Sequence, residues 1–129
     1  MIQSSVYDYV KVLDKAADEA WLRNEAIANN IANVDTPDYK RIDVNFEDVL
    51  NRELRDARYI SVDEKVHRLM TSRLEVGTYV DHGDFSYRMD GNNVDIDTES
   101  KYLAANQLKY NALVQSFNQE FARLQMVMK

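Results

Sequence analysis

The sequence predicts a mainly α-helical protein whose long N- and C-terminal helices pair as an antiparallel coiled coil, with a small middle segment of irregular chain and short β-strands. Three observations predict this fold class. The 129 residues include only 3 glycines and 1 proline, which is few for a chain with many turns. Apolar residues recur in steps of three and four at both ends. Val, Ile, Tyr and Gly gather between these ends, where they favour strands and turns.

The first helix is expected over residues 5–33, with Ser4 or Ser5 as its N-cap. Its apolar positions step by four and three, and only Asn24 in the series is polar, which is typical of a helix that packs along a partner helix. The series is Val6, Val10, Leu13, Ala17, Ala20, Asn24, Ile27, Ile31 and Val34.

The stretch over residues 28–41 ends this helix. Pro37 disfavours a helical conformation at Thr36 by steric clash, so the break is fixed by chemistry. Three asparagines between positions 29 and 33 are poor helix formers, because their amides bond nearby backbone groups. A helix end followed by an Asx turn explains any one of them. Together they predict a joint whose amides bond backbone groups that packing would otherwise leave unsatisfied.

The middle segment carries weaker patterns. A short helix is expected over residues 46–58, and short strands or extended chain are expected over residues 59–62 and 74–80. A β-hairpin is expected between Phe85 and Ile96. Its turn would lie at residues 90–93, where Asp, Gly and Asn tolerate positive φ.

The last helix is expected over residues 98–129, with Asp97 or Thr98 as its N-cap and Glu99 in a first turn that favours acids. Its heptad series is Leu103, Gln107, Tyr110, Val114, Phe117, Phe121, Leu124 and Met128. Each terminal helix would therefore extend about 45 Å at a rise of 1.5 Å per residue. The two helices match in length and in period.

These helices are expected to pair within one chain. Residues 1–34 and 98–129 would form the paired core, and residues 35–97 would form the joint and a protruding middle segment with a short helix and a hairpin. The pairing seam is expected to contain Val6, Val10, Leu13, Ile27, Ile31, Leu103, Tyr110, Val114, Phe117, Phe121 and Leu124. The apolar residues outside the seam include Trp21, Leu22, Leu108 and Leu113. Because contiguous exposed apolar surface marks interaction sites, we expect these four residues to contact other subunits.

Composition argues against several functions. The formal net charge is −6 and no basic stripe is present. The chain therefore offers no cluster of positive charge to bind the phosphates of nucleic acid or an anionic lipid surface. The chain has no cysteine, which excludes disulfides, thiolate nucleophiles and sulfur ligands for metals. No apolar run approaches the roughly 20 residues of a membrane span, and the N-terminus lacks the apolar core of a cleaved signal peptide.

Candidate metal and catalytic motifs are weak. Residues 90–99 are rich in oxygen ligands but fit no phasing of the EF-hand pattern. Asp81, His82 and Asp84 would need His67 to converge on them, so a solvated loop is the simpler interpretation. The chain has no nucleophile elbow, phosphate-binding Gly loop or His-Glu-x-x-His pair. We expect no catalytic residue, no cofactor and no metal.

Two motifs resemble a known family. The joint is similar to the pattern NNIAN-x-x-TPG-[FY]-[KR] of the bacterial flagellar rod and hook family. The residues that carry this resemblance are Asn29, Asn30, Ile31, Ala32, Asn33, Thr36, Pro37, Tyr39, Lys40 and Arg41. The run DGNNVDID at residues 90–97, with residues 106–114, resembles the proximal rod members more than other rod proteins. Asp38 stands where the family has Gly, and because Asp tolerates positive φ, the turn is expected to survive at a cost of ~1 kcal/mol.

The resemblance implies a structural subunit of the proximal rod of the flagellar basal body. Such subunits assemble helically into part of the torque-transmitting drive shaft and of the export channel wall. The resemblance also implies a place within the periplasm, reached by type III export without a cleaved signal peptide. The implied partners are copies of itself, other rod proteins of the FlgC and FlgF types, and proteins of the rod base, the MS ring and the export gate. Nucleic acid and a direct membrane span are not expected.

Two alternatives stay open. One is another rod protein, such as an FlgC-like one. The other is a soluble coiled-coil adaptor or export chaperone that binds one partner helix. Sedimentation of the purified protein separates the last case, because a chaperone should form a well-defined oligomer whereas an isolated rod subunit should be monomeric with protease-sensitive ends.

Overall fold

The computed structural model describes residues 2–55, 61–69, 73–83 and 88–128, without the side chains of residues 2–6. The elements follow the chain in the order α1 (Ile2–Ala32), β1 (Ile42–Val44), α2 (Phe46–Arg55), α3 (Val62–Arg68), β2 (Thr78–Val80) and α4 (Ile96–Val127). The predicted fold class is confirmed: two long terminal helices flank a small two-stranded sheet and short helices.

Helices α1 and α4 pack in antiparallel directions. Near the end of α1, Asn30 Nδ2 lies 3.2 Å from Glu99 Oε2 at the start of α4. Earlier in α1, the Ala20 carbonyl accepts a hydrogen bond of 2.8 Å from Asn106 Nδ2. One turn further into α4, Lys109 Nζ lies 2.7 Å from Glu19. Residue numbers rise along one helix as they fall along the other, so the two helices run in opposite directions.

The middle segment packs along α1. The core consists of Val44, Phe46 and Leu74, and it contacts α1 through Val12, Ala16 and Leu22. The sequence predicts that this segment protrudes at one end, but its described parts lie against α1 from Ile42, bonded to Asn30, to Asp63, which accepts a hydrogen bond of 2.5 Å from Tyr9. This packing buries apolar side chains of α1 and of the middle segment, which favours the arrangement.

The sheet consists of β1 and β2 in antiparallel register, with Ile42 opposite Val80 and Val44 opposite Thr78. Of the predicted extended stretch 74–80, only residues 78–80 form a strand. Strand β1 is not predicted by the sequence. The short helix predicted over residues 46–58 is described as Phe46–Arg55, and the rest of that prediction lies outside the described residues.

The strand predicted over residues 59–62 is wrong at its described end, because Val62 begins α3. Residues 59 and 60 lie outside the described residues. Ser61 is the N-cap of α3, and its hydroxyl accepts a hydrogen bond of 3.3 Å from the Glu64 N–H. The Ser-x-x-Glu spacing of a capping box is the sequence feature that identifies this helix start.

The predicted helix starts also need correction. Helix α1 begins at Ile2, so Ser4 and Ser5 lie inside it and neither is its N-cap. Helix α4 is capped by Asp95 and not by Asp97 or Thr98. The Asp95 carboxylate accepts hydrogen bonds from the Asp97 N–H at 3.1 Å and from the Thr98 hydroxyl at 2.6 Å. The hydrogen bond from Thr98 contributes most to a pKa of Asp95 below its ordinary value.

The hairpin predicted between Phe85 and Ile96 is not formed in its described part. Ile96 begins α4, and Val94 lies in irregular chain; Phe85 and Tyr87 lie outside the described residues. The reason is local hydrogen bonding, because the Val94 N–H donates to Asn92 Oδ1 at 2.8 Å. A side chain therefore takes the place of a neighbouring strand.

The turn after α1 contacts the turn before α4. Asp38 has a φ of 58°, which confirms that it adopts the conformation usual for Gly, and its N–H donates to the Asp90 carbonyl at 2.9 Å. Gly91 has a φ of 76°, and a Cβ at this position would lie 2.4 Å from Asp38 Oδ1. Both backbone strain and contact with Asp38 therefore favour glycine at position 91.

Replacing Gly91 by Ala is expected to lower the free energy of unfolding by about 2 kcal/mol, because Ala is strained at positive φ and its Cβ meets Asp38. Urea unfolding of the purified chain measures this change. Gly77→Ala is the matched control, since its Cβ would meet no atom closer than 4.0 Å. Equal destabilisation by the two substitutions would contradict the explanation.

Candidate assembly site

Asn30 is the centre of the joint. Its side chain is 0% exposed and bonds both backbone groups of Ile42, accepting from N–H at 2.9 Å and donating to C=O at 2.8 Å. Its amide oxygen also accepts a bond of 3.2 Å from the Tyr39 hydroxyl. With the contact to Glu99, this one amide connects α1 to the outer edge of β1 and to α4. The edge of a two-stranded sheet is thereby covered by a side chain.

Arg41 and Glu99 form a buried ion pair beside Asn30. Glu99 is 1% exposed, and Arg41 Nε donates to its Oε1 at 2.6 Å. Arg41 also lies 3.0 Å from Asp43 and stacks over the Tyr102 ring at 5.1 Å. Burial lowers the pKa of Arg41, but the hydrogen bond and charge of Glu99, with Asp43, outweigh burial and raise the pKa above its ordinary value. The guanidinium therefore stays charged and holds α4 against β1.

Asn92 bonds the end of α1 from the opposite side. Its side chain is 1% exposed, and Nδ2 lies within 3.0 Å of the carbonyl oxygens of Asn33, Val34 and Thr36. Those carbonyls follow the last helical turn, where backbone acceptors lack partners within the helix. The sequence predicts only a turn at residues 90–93, so it misses this role. The DGNN motif is the feature that marks it.

The other motif residues lie around this centre. Asn33 donates to the Asn29 carbonyl at 2.8 Å and accepts a bond of 3.2 Å from Thr36. The side chain of Asn29 is exposed, whereas Lys40 donates to the Gly91 carbonyl. The structure thus brings Asn30, Asn33, Thr36, Tyr39 and Lys40 into one bonded network, and Pro37 lies exposed in the turn. Ile31 is half-buried and Ala32, the last residue of α1, is exposed.

Comparison with known proteins identifies the family. A family model described as flagella basal body rod protein matches residues 22–40. The flagellar basal body rod protein FlgB of Bacillus subtilis (strain 168) is 38% identical over 119 residues, which cover 92% of each chain. The chain belongs to the FlgB family of flagellar basal body rod proteins. FlgB of Borreliella burgdorferi is 35% identical over 84% of this chain and 86% of its own, and FlgB of Escherichia coli (strain K12) is 33% identical over 68% and 69%.

The resemblance predicted from the joint and from residues 90–97 is therefore confirmed at the level of the FlgB family. The family model covers the last third of α1 and the turn that follows, including Asn30, Asn33 and Tyr39. Among the helices in the described part of this FlgB-family chain, none is long and apolar enough to cross a membrane. Over the same residues, no group of three or more His, Asp or Glu side chains is arranged to hold a metal ion.

A second charged network joins α1, α2 and α4 in this FlgB-family chain. Glu19 is 0% exposed and accepts a bond of 2.7 Å from Lys109, which also lies 2.7 Å from Glu47. Arg23 Nε lies 3.2 Å from Glu19 without hydrogen-bond alignment, and the Arg23 guanidinium donates to the Val44 carbonyl at 2.9 Å. The hydrogen bond from Lys109 lowers the pKa of Glu47. This network fixes the middle segment against the helix pair.

The predicted seam is buried unevenly. Ile27 is buried, and the half-buried seam residues are Val10, Leu13, Ile31, Leu103, Phe117 and Leu124. The exposed seam residues are Tyr110, Val114 and Phe121, and the side chain of Val6 lies outside the described residues. Asn106 takes the contact position on α4 opposite Ala20, and of the seam residues after it Phe117 and Leu124 stay half-buried whereas Tyr110, Val114 and Phe121 are exposed.

The four predicted neighbour-facing residues divide into two pairs. Trp21 is 68% exposed and Leu108 is 72% exposed. Leu22 instead packs on the core of Val44 and Phe46, and Leu113 is half-buried. The apolar surface available to a neighbour thus contains Trp21 and Leu108, together with seam residues of α4.

Proposed function

We propose that the chain is a structural subunit of the proximal flagellar rod, where its copies assemble helically into part of the torque-transmitting shaft and of the export channel wall. Membership of the FlgB family supports a rod subunit. One structural observation carries the finer proposal: large apolar side chains stay exposed along both long helices. These residues include Trp21, Leu108, Tyr110, Val114, Phe121, Met126 and Val127.

This exposure favours packing between subunits. Each of the two long helices buries one side against its own chain and leaves apolar residues on another side. Large exposed apolar side chains of this kind are typical of interaction sites, and their burial in an assembly would be favourable. We therefore assign the exposed faces of α1 and α4 to contacts between rod subunits.

The joint has a positioning role in this proposal. Asn30 and the Arg41–Glu99 pair fix where α1 ends relative to β1 and α4. The chain then leaves the helix pair at a defined angle. Residues 1–34 and 98–129 would form the rod wall, and residues 35–97 would form the joint and the outer segment. The exposed Asn29 would be available to a neighbouring subunit.

Rod membership supports association with other rod components. We propose that its partners are copies of itself, FlgC-like and FlgF-like proteins, and proteins of the rod base, MS ring and export gate. In this proposal the chain resides in the rod within the periplasm and is exported without a cleaved signal peptide. The relatives are rod proteins, and we propose no catalytic role for this chain.

Replacing Trp21 by Asp is expected to block incorporation into the rod while the subunit still folds, because a charge would be buried between subunits and the residue is exposed in the single chain. The measurement is the amount of the variant in basal bodies purified from a strain that makes no other copy. We expect a loss of at least about 30-fold, as at interface hot spots.

Trp21→Phe is the matched control, because it keeps an apolar aromatic ring at the same position. It should be incorporated at close to the normal level. Circular dichroism of the purified variants checks that both remain helical. Normal incorporation of a folded Trp21→Asp subunit would contradict the proposed interface.

A further inference from the structure

The turn before α4 contains a chemically reactive step of the backbone. Of the 3 glycines in the chain, only Gly91 follows an Asp or Asn, and the residue before it is Asp90. Glycine has no Cβ, so its backbone nitrogen is open to approach by the carboxyl group of the preceding side chain. Attack by this nitrogen on the carboxyl carbon is the first step of aspartate isomerisation. The Asp90–Gly91 step is therefore where the sequence favours this reaction most.

The reaction is a condensation followed by a hydrolysis. The Gly91 nitrogen forms a bond to Cγ of the protonated Asp90 side chain and loses its proton, and the side-chain hydroxyl leaves as water. The product is a cyclic succinimide. Solvent water then opens the ring: hydrolysis at Cγ restores aspartate, whereas hydrolysis at the main-chain carbonyl carbon gives isoaspartate. The water that leaves is balanced by the water that returns, and nothing is oxidised or reduced.

The folded turn engages both reacting groups in other bonds. The Gly91 N–H donates to the Arg88 carbonyl at 3.2 Å. One oxygen of the Asp90 carboxylate accepts a hydrogen bond of 3.1 Å from the Asn92 N–H, and the other lies 3.2 Å from the Arg88 guanidinium. This Asx turn directs the carboxylate to the nitrogen two residues further on, and the ion pair uses the charged carboxylate whereas the reaction uses the protonated acid. The turn must therefore open before Gly91 attacks.

The rest of the joint holds this turn closed. The Asp90 carbonyl accepts a hydrogen bond of 2.9 Å from the Asp38 N–H, and Lys40 donates to the Gly91 carbonyl. The buried Asn92 amide bonds carbonyl oxygens at the end of α1. These contacts join segments that are distant along the chain, so only the folded chain makes them. An unfolded chain loses all of them at once.

We propose that Asp90 is a site of spontaneous isomerisation whose reaction the folded joint suppresses. In isoaspartate the main chain runs through Cβ and Cγ of residue 90 and is one atom longer. The carbonyl that accepts the Asp38 N–H becomes part of a free carboxylate, so Asn92 is displaced from the end of α1. A chain that reacts while unfolded therefore cannot rebuild the same joint. This inference does not depend on the proposed rod function.

The test compares the purified chain in buffer with the same chain kept unfolded in guanidinium chloride, at equal neutral pH and temperature. Samples taken over several weeks are digested briefly with trypsin, and fragmentation mass spectrometry locates isoaspartate within the peptide 89–101. Asp95 and Asp97 lie in the same peptide and are matched internal controls, because the β-branched residues that follow them obstruct the attack.

In denaturant we expect isoaspartate to accumulate at Asp90 faster than at either control residue. In buffer the rate at Asp90 should be at least about tenfold lower, because only locally open forms react.

Two variants separate the chemistry from the fold. Asp90→Glu adds a methylene that disfavours ring closure, so isomerisation at this position should be lost even in denaturant. Asn92→Ala removes the amide bonds to the end of α1 but keeps the Asp–Gly step. Its rate in denaturant should equal that of the unaltered chain, whereas its rate in buffer should rise about tenfold as the turn opens more often. If Asn92→Ala does not fold, the unaltered chain alone decides the test.

Three results would overturn the proposal. If isoaspartate forms at Asp90 no faster than at Asp95 and Asp97 in denaturant, the site is wrong. Equal rates at Asp90 in buffer and in denaturant would show that the fold does not suppress the reaction. An unchanged rate in buffer for a folded Asn92→Ala chain would show that the joint does not hold the turn closed. The rod function would stand in each of these cases, because it is tested on basal bodies.

Discussion

Replacing Asn30 by alanine is expected to lower the free energy of unfolding by about 4 kcal/mol, because the change leaves several buried polar groups without partners. The amide bonds both backbone groups of Ile42, the Tyr39 hydroxyl and Glu99. No water reaches this side chain, which is 0% exposed. Loss of this amide therefore removes the hydrogen bonds that join α1 to β1 and to α4.

Asn29→Ala is the matched control, since Asn29 is the neighbouring asparagine on the same helical turn and its side chain is exposed. Its effect should stay within about 0.5 kcal/mol. Urea unfolding of both purified variants, followed by circular dichroism, measures the difference. If the two substitutions lower the free energy of unfolding equally, the buried amide network does not stabilise the joint.

Replacing Glu99 by glutamine is expected to lower the free energy of unfolding by about 3 kcal/mol, because it removes the carboxylate that faces Arg41 inside the protein. The guanidinium would keep Asp43 at 3.0 Å but lose its most buried partner. The substitution preserves size, so the change isolates charge from packing.

Glu64→Gln is the control for this prediction. Glu64 pairs with Arg68 at 2.6 Å, the same separation as in the buried pair, but its side chain is 49% exposed. Exposed pairs within a helix contribute only about 0.3–0.5 kcal/mol. Denaturant unfolding of both variants measures the loss of unfolding free energy for two ion pairs of the same separation, one buried and one exposed to solvent. A cost for Glu99→Gln as small as for the control would show that burial does not strengthen the contact.

The sequence predicts the long helices well because their periodicity repeats over many turns. It also predicts the joint, where Pro37 and the asparagines act locally. The positive φ of Asp38 follows from the same local chemistry. These features depend on neighbours in the chain, which sequence reasoning treats directly.

The sequence does not predict how the middle segment packs. The three-residue strand β1 is held by Asn30 and Arg23 of α1, so its existence depends on a contact distant along the chain. The β-branched and aromatic residues over positions 59–62 predict a short strand or extended chain, although Ser61 caps a helix that begins at Val62. Tertiary contacts override weak local preference in such short elements.

Heptad spacing alone also leaves the orientation of α4 open. The helix carries more apolar residues than one seam needs, and periodicity does not say which strip faces α1. The structure places Glu99 and Asn106, two polar residues, in the buried contact. Tyr110, Val114 and Phe121 are therefore exposed. The orientation of α4 about its own axis therefore leaves these three side chains available to another subunit.

The most direct test of the rod assignment is electron microscopy of negatively stained basal bodies from a strain that lacks this chain. We expect basal bodies without a rod, and recovery of the rod when the unaltered gene is returned. A complete rod in the deletion strain would contradict the assignment, as would a persistent rod stub accompanied by a discrete soluble oligomer of the chain.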